Sequence, residues 1–281
     1  MAVSQQAPTL VVISHYDAWA PDQLVALLDQ TKDVPAGAHF DTCVVVNQCG
    51  SRELHLPERH ADVTIFHRPN SGYNIAAWDH GWRSMPPYSD YLFLQEECRI
   101  LRPNWLSAFR KLLAKPRIGL VGESLFWAGL SWDRLDYQYR DFHFADRVDG
   151  RLVPIPTGLR IGMQRLNIPV GKSGEHLQSL ILAIRRDVLE HIGGFFSGDS
   201  YGEATIAESS ISKKVQALGL VVREVGPGSF RYILHPQWTY RQGWALSLLR
   251  RAAARIPVSS RWNCTIRRRR WMSRRWAKLR F

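Results

Sequence analysis

Residues 91–98 read YLFLQEEC, a short apolar run that ends abruptly at two neighbouring carboxylates, Glu96 and Glu97. An apolar segment of this length with aromatic content is typical of a buried β-strand. Acids at the end of such a strand lie where an open α/β sheet forms its ligand cleft. A carboxylate pair there suits Mg²⁺ or Mn²⁺ bridging to phosphates, because these ions prefer oxygen ligands. The simpler alternative is two solvated acids at a strand end.

Similar short apolar runs recur along the chain and alternate with amphipathic segments. The pattern predicts strands at 10–14, 42–46, 63–66, 118–123 and 220–225, helices at 21–30, 73–82, 105–113 and 205–218, and a strand, a helix and a Gly-Gly stop within 177–195. Strands that read as continuous apolar runs and alternate with helices predict an α/β fold. Its Rossmann-like, mostly parallel central sheet is covered by helices on both faces.

The segment 124–174 has no clear periodicity and is rich in aromatic residues, Arg and Asp. Stretches of this length inside a compact domain are usually functional, so it is predicted to be an inserted lobe or a set of long binding loops. No linker is evident before about residue 240. We therefore expect one large domain over 1–240, followed by a C-terminal segment, 241–281.

The formal net charge of +12 comes from that C-terminal segment. It holds 13 of the 37 Lys and Arg residues and no acid, which leaves 24 basic against 25 acidic residues in 1–240. Four tryptophans, Trp244, Trp262, Trp271 and Trp276, are interleaved with its arginines. This composition predicts helices that lie on an anionic membrane surface. Nucleic-acid binding, which we favour less, and a solvated disordered tail are the alternatives.

The cysteines and the termini indicate the compartment. Cys43, Cys49, Cys98 and Cys264 form neither a CxxC pair nor a regular framework, which fits a reducing environment. The first residues lack a signal-peptide pattern, and no stretch approaches the roughly 20 apolar residues that cross a bilayer. We expect a cytoplasmic protein that contacts a membrane only from outside.

Several polar residues stand at positions where a ligand site would form. Asn70 and Gly72 precede a predicted helix, where backbone amides can receive phosphate oxygens, although such a turn is often ordinary structure. Glu208 falls on the apolar face of its predicted helix, which indicates either a general base or a first-turn acid that stabilises the helix. Glu203 is the rival acid. His235, after the last strand, is either a ligand or a structural histidine.

Taken in order, these segments resemble the nucleotide-sugar-dependent glycosyltransferases of the GT-A fold. The resemblance covers about residues 9–222 and rests on LVVISHYD, VVVNQCGS, RPNSGYNIAAW, YLFLQEEC with PNWL behind it, AIRRDVLEHIGGF and AESSISKKVQALG. The stretch GYNIAAWDHGW further resembles the GYDFGAW type of segment in rhamnan-synthesis protein F-like proteins of bacterial surface polysaccharide assembly.

The resemblance implies roles for individual residues. Glu97 would take the place of the Asp-X-Asp metal motif, Glu208 that of the catalytic base, and His235 that of a further metal ligand. The nucleotide-binding residues would be Ser14, Tyr16, Asn47, Asn70, Gly72 and Glu96. The chain departs from the family pattern at QEE, which replaces an Asp-rich motif, at Asn47, where Asp is common, and at Ala207, where a second acid usually precedes the base.

The implied function is transfer of a sugar from a nucleotide-sugar donor to a glycan or lipid-linked acceptor hydroxyl. The resemblance implies inversion, a divalent Mn²⁺ or Mg²⁺ cofactor, and a place in bacterial surface polysaccharide or lipopolysaccharide biosynthesis, peripheral to the inner membrane. Trp127, Trp132 and Tyr137 of the insertion would stack on acceptor sugars or form the core of a lobe. Arg160 and Arg165 are candidate pyrophosphate contacts. A catalytically silent sugar-nucleotide-binding scaffold and a nucleic-acid-binding protein are the alternatives.

Overall fold

The computed structural model describes residues 9–50 and 53–236. Its strands are β1 (Thr9–Tyr16), β2 (Phe40–Gln48), β3 (Thr64–Pro69), β4 (Asp90–Gln95), β5 (Arg99–Ile100), β6 (Ile118–Gly122), β7 (Leu125–Phe126), β8 (His176–Leu177), β9 (Ile181–Arg185), β10 (Val221–Glu224) and β11 (Ile233–Leu234). Its α-helices are α1 (Asp22–Asp33), α2 (Tyr73–Ser84), α3 (Trp105–Leu113), α4 (Trp132–Tyr139), α5 (Ile155–Arg165), α6 (Arg186–His191) and α7 (Tyr201–Ala217). The predicted basic segment 241–281 lies outside the described residues.

Seven strands form the central sheet in the order β10-β6-β9-β4-β1-β2-β3. Strand β9 is antiparallel to both of its neighbours, and the other six share one direction. The predicted α/β fold with a mostly parallel sheet is therefore confirmed. The order β3-β2-β1-β4 matches that of a dinucleotide-binding half-fold, in which the winding direction reverses between β1 and β4. The crevice outside the carboxyl ends of these two strands is where such sheets bind ligands.

The apolar run of β1 shows why the sheet is covered on both faces. Val11 and Ile13 pack into one core with α1 and α3, while Leu10 and Val12 pack into a second core with α2, α6 and α7. Successive side chains of a strand point to opposite faces, so a continuous apolar run has partners on both sides. Among the described residues, no helix has the length and apolarity needed to cross a membrane.

Residues 124–174 form a small lobe with regular structure that the sequence pattern did not predict. Helices α4 and α5 enclose a third core, to which α7 contributes Ile206. Trp127 and Trp132 are each only 6% exposed and belong to that core, whereas Tyr137 is 72% exposed. The lobe-core interpretation of the two tryptophans is therefore supported over sugar stacking.

Both arginines proposed for pyrophosphate have partners inside the lobe. Arg160 donates to Asp136 and lies over the Trp132 ring, and Arg165 donates to Asp149 at 2.7 Å. These ion pairs explain the two arginines without a ligand, and the predicted pyrophosphate contacts are not supported.

Helix α7 begins four residues earlier than predicted, at Tyr201. Ser200 caps it by accepting the Glu203 backbone N–H at 3.0 Å, and Glu203 accepts the Ser200 N–H in return at 3.2 Å. This reciprocal capping box satisfies two free donors of the first turn. The first-turn acid is thus Glu203, and the prediction that Glu208 lies close to the helix N-terminus is wrong.

Candidate active site

Glu96 joins the ends of β1 and β4 at the floor of the cleft. Its Oε2 lies 2.6 Å from Nδ1 of His15, and its Oε1 accepts the backbone N–H of Tyr16 at 2.9 Å. The Glu96 N–H in turn donates to the carbonyl of Ser14 at 3.1 Å. Both oxygens of this buried carboxylate therefore bond to β1.

Other predicted nucleotide-binding residues differ in accessibility. The Ser14 hydroxyl is buried and donates to the Leu94 carbonyl at 3.4 Å, so it also acts within the protein. Tyr16 is partly exposed, and its neighbour Asp17 accepts the backbone N–H groups of Cys49 and Gly50 at 2.8 and 3.3 Å. These bonds fix the loop after β2 beside the end of β1.

Asn47 ties the end of β2 to the start of α2. Its Oδ1 accepts from Arg68, and its Nδ2 donates to the Tyr73 carbonyl at 3.2 Å. Gly72 has φ +66°, and a Cβ there would come within 2.8 Å of the Cβ of Ser197. Only glycine fits this left-handed close approach without strain. Asn70 is exposed at the rim of the same turn.

Three atoms of the kinds that bind metal ions lie close together beside the end of β4. Nε2 of His235 lies 3.0 Å from Oε1 of Gln95 and 3.8 Å from Oε2 of Glu97. His235 follows β11, and β11 pairs antiparallel with β5, which begins two residues after Glu97. This pairing brings His235 close to Glu97. The Gln95 amide is oriented by its Nε2, which donates to the Ser179 carbonyl at 2.9 Å.

This set of two oxygens and one nitrogen fits a divalent ion. Mg²⁺ binds oxygens at about 2.0–2.1 Å in octahedral geometry, which places adjacent ligands about 3 Å apart, and it takes its remaining ligands from water and phosphate. Burial, helped by Arg99, lowers the pKa of His235 to about 4 and keeps the ring neutral, as a ligand must be. Burial and then Glu96 raise the pKa of Glu97, and a cation would oppose that shift.

The described residues contain no group of three or more His, Cys, Asp or Glu side chains placed to hold a metal. The set above has two such side chains, Glu97 and His235, and its third donor is the amide of Gln95. The sequence interpretation missed Gln95, although it is the first residue of QEE, in the place of an expected acid.

Ser179 holds one oxygen of Glu208, and His176 lies near the other. Its Oε2 accepts both the backbone N–H and the hydroxyl of Ser179, at 2.7 and 2.8 Å. Its Oε1 lies 3.6 Å from Nε2 of His176, and 23% of the side chain is exposed. Burial alone would raise the pKa of Glu208, but the interactions with His176 and Ser179 outweigh it and hold the pKa below its ordinary value.

A series of hydrogen bonds leads from Glu208 to His235, which lies 3.8 Å from Glu97, the other acid that sequence analysis expected in the same pocket. The path runs from Glu208 through Ser179 and Gln95 to His235, which faces Glu97. Asn74 at the start of α2 joins it by donating to the Ser179 carbonyl at 2.7 Å. Glu97, His235 and Glu208 are thus brought to the same edge of the sheet.

Ser179 and His176 were missed because they precede a strand. In the antiparallel pairing of β9 with β4, Leu94 lies opposite Ile181, so the residues just before β9 reach the carboxyl end of β4. A search for polar residues that follow strands finds Glu97 and overlooks this segment. The direction of β9 is the signal that would have found it.

No family model and no curated protein matches the chain. Among solved structures it is similar to the mannosyltransferase PcManGT from Pyrobaculum calidifontis, in complex with GDP-Man and Mn²⁺, at 14% identity and a TM-score of 0.47 over 79% of this chain and 55% of that one. It is also similar to the bifunctional glycosyltransferase WbbM, at 12% identity and a TM-score of 0.45 over 91% of this chain and 45% of that one. The similarity to GalNAc-T7 with UDP, GalNAc and Mn²⁺ is 13% identity and a TM-score of 0.43, over 74% of this chain and 41% of that one. The chain thus spans about half the length of these proteins.

Proposed function

We propose that this chain is a nucleotide-sugar-dependent glycosyltransferase. The observation that carries the proposal is the series of hydrogen bonds from Glu208 to His235, which ends 3.8 Å from Glu97 at the carboxyl end of β4. It has a partly exposed carboxylate at one end and a cation-binding donor set at the other. The ordered resemblance of residues 9–222 to GT-A glycosyltransferases supports the same assignment.

Glu208 acts as the general base. An acceptor hydroxyl approaches Oε1, gives its proton to that oxygen, and attacks the anomeric carbon of the donor. The bond from that carbon to the diphosphate breaks, and its electron pair leaves with the nucleoside diphosphate. Ser179 keeps Oε2 fixed during this single displacement, which inverts the anomeric centre. A Mn²⁺ or Mg²⁺ ion held by Glu97, His235 and Gln95 would supply charge neutralisation for the leaving diphosphate.

The acceptor we propose is a glycan or a lipid-linked glycan of bacterial surface polysaccharide or lipopolysaccharide assembly. The segment 241–281, with its arginines and tryptophans, would rest on the anionic cytoplasmic face of the inner membrane. This context is supported by the resemblance and by composition.

The role of Glu208 as general base is tested by measuring sugar-nucleotide turnover. Three proteins are compared: the parent chain, Glu208→Gln and Glu203→Gln. Glu208→Gln should lower transfer or donor hydrolysis by about 10²- to 10⁴-fold. Glu203→Gln alters only a helix cap on the same helix and should retain turnover. Equal turnover in the parent chain and Glu208→Gln would remove Glu208 from the mechanism.

A thermal-shift screen of nucleotide diphosphate sugars with and without Mn²⁺ tests the donor end. A ligand that binds the native state raises its melting temperature. That rise should persist in Glu208→Gln and be reduced in Glu97→Ala. A Mn²⁺-independent rise that Glu97→Ala leaves intact would contradict the cation site.

A catalytically silent sugar-nucleotide-binding module is the second candidate. It is favoured by the use of both Glu96 oxygens within the protein and by Ala207 in place of a second acid. Thermal stabilisation by a sugar nucleotide, together with no turnover by the parent chain for any donor, would support it.

A further inference from the structure

His176 lies against the Oε1 oxygen of Glu208. The ring is 2% exposed, and its Nδ1 lies 2.8 Å from the carbonyl oxygen of Gly174, so Nδ1 must donate a proton. Its Nε2 lies 3.6 Å from Oε1 of Glu208. The interaction with His176 is the largest of those that hold the pKa of Glu208 below its ordinary value.

Aromatic rings pack against His176. The centroids of the Phe126 and Trp127 rings lie 5.5 and 5.6 Å from the centroid of the His176 ring, at interplanar angles of 72° and 87°. Strand pairing fixes this arrangement, because Phe126 in β7 lies opposite His176 in β8. Burial of the imidazole strengthens its electrostatic interaction with the carboxylate.

Other ionisable groups from neighbouring elements also approach the pair. Tyr201 of α7 and Tyr73 of α2 lie on the Glu208 side, where burial, Glu208 and Tyr73 raise the pKa of Tyr201. Lys213 of α7 donates to the carbonyls of Ser173 and Glu175, and the Glu175 carboxylate accepts the N–H of Gly129 at 2.7 Å. Lys213 thus bonds to backbone carbonyls and to the Gln216 side chain, and Glu175 turns to the Gly129 loop, which leaves His176 as the ring that meets Oε1.

We propose that His176 is a positioning residue for the base: it orients Oε1 of Glu208 toward the cleft and keeps the carboxylate ionised until the acceptor arrives. This inference rests on the proposed function. The proton of the acceptor hydroxyl ends on Oε1, and His176 acts only by positioning that oxygen. The other carboxylate oxygen, Oε2, is already fixed by its two hydrogen bonds from Ser179. Ser179 and His176 together therefore determine that Oε1 is the oxygen that receives the proton.

Two substitutions and one control separate this role from simple packing. His176→Asn retains a donor near the Gly174 carbonyl, and His176→Gln retains one near Oε1, but neither carries a charge. His60→Asn is the control, because His60 is a buried histidine elsewhere whose Nε2 lies 3.0 Å from Oδ1 of Asp29. Each is compared with the parent full chain.

The first measurement is a carboxyl ¹³C NMR titration of Glu208, assigned by the loss of its signal in Glu208→Gln. Its midpoint should rise by about one pH unit or more in both His176 variants, because the interaction with His176 lowers the pKa of Glu208 and a nearby partner of this kind shifts a carboxyl pKa by about that amount. His60→Asn should leave the midpoint in place. An unchanged midpoint in both His176 variants would overturn the inference, whatever the activity.

The second measurement is the pH dependence of kcat/KM. Its acid limb should move to higher pH by the same amount in the His176 variants, so that kcat/KM on that limb falls about tenfold while the donor KM is unchanged. A shifted NMR midpoint with no turnover by the parent chain would instead overturn the proposed function and leave only an ion pair. A folded, active variant with an unshifted acid limb would refute the positioning role alone.

Discussion

The two sides of the cleft are secured by opposite charges. On the sheet side, the buried carboxylate of Glu123 accepts the backbone N–H groups of residues 231–233 at 2.6, 2.8 and 2.7 Å, and this segment leads to His235. On the lobe side, the buried ammonium of Lys213 donates to the carbonyls of Ser173 and Glu175 at 2.6 and 2.8 Å, and this segment leads to His176.

The two anchors differ in charge because one segment offers backbone N–H groups and the other offers backbone carbonyls. Buried backbone N–H and C=O groups must find partners, and an anion gathers donors while a cation gathers acceptors. In both cases a side chain outside the cleft determines where a cleft histidine lies. Changes at these anchors should therefore alter the site without touching a ligand.

The largest expected effect compares the two cores. Leu92 of β4 and Leu135 of α4 are both fully buried, one in the sheet core and one in the lobe core. Leu→Ala at either position should cost about 2–5 kcal/mol. Leu92→Ala should lower protection against hydrogen exchange throughout the chain, whereas Leu135→Ala should lower it mainly within 124–174. If Leu135→Ala accelerated exchange equally in β1 and β4, the lobe would not open separately from the sheet.

The next effect concerns the lobe anchor. Lys213→Met removes the donor to two buried carbonyls and should lower the free energy of unfolding by about 1–3 kcal/mol. It should also reduce turnover, because the segment before His176 loosens. Lys214→Met is the matched control, since Lys214 donates only to the Ile192 carbonyl at 3.2 Å. Urea unfolding and turnover are the measurements, and equal losses in the two variants would contradict a specific anchor.

The smallest effect is a pH dependence on the sheet side. Burial, against the opposing effect of the three N–H donors, raises the pKa of Glu123 from 4.5 to about 7. Between these values the folded chain binds a proton that the unfolded chain has lost, so the Glu123 contribution to the unfolding free energy falls as pH rises. Relative to Glu123→Gln, the parent chain should lose about 1–2 kcal/mol between pH 6 and pH 8. A constant difference between the two chains across that range would show that Glu123 does not titrate there.

The comparison also explains what could be predicted from the sequence. Strand β4 and helix α3 were predicted almost to the residue, because their apolar spacing is a local property of the chain. Helices α4 and α5 were not, because they depend on tertiary contacts. A Cβ on Gly158, for example, would come within 2.3 Å of the Phe144 ring. Such a close approach leaves no periodic pattern in the sequence.

The site divides in the same way. Glu97, His235 and Glu208 were predicted through a resemblance in the order of segments, and the structure brings all three to one edge. Ser179 and His176 depend on the direction of β9, which an apolar run does not encode. The two oxygens of Glu96 bond to His15 and Tyr16 of β1, a tertiary contact that the sequence pattern does not encode.

The reversed direction of β9 has a topological consequence. Strands β6 and β9 are antiparallel neighbours, and Gly122 pairs with Leu182 at the cleft edge. The chain leaves the sheet at this edge and re-enters at the same edge, so the whole lobe is the loop of one very long hairpin. The entropy of closing a loop grows only with the logarithm of its length, and no strand must change register when that length changes. Under the proposed function, the acceptor side can be lengthened, shortened or exchanged as a module while the donor end stays intact.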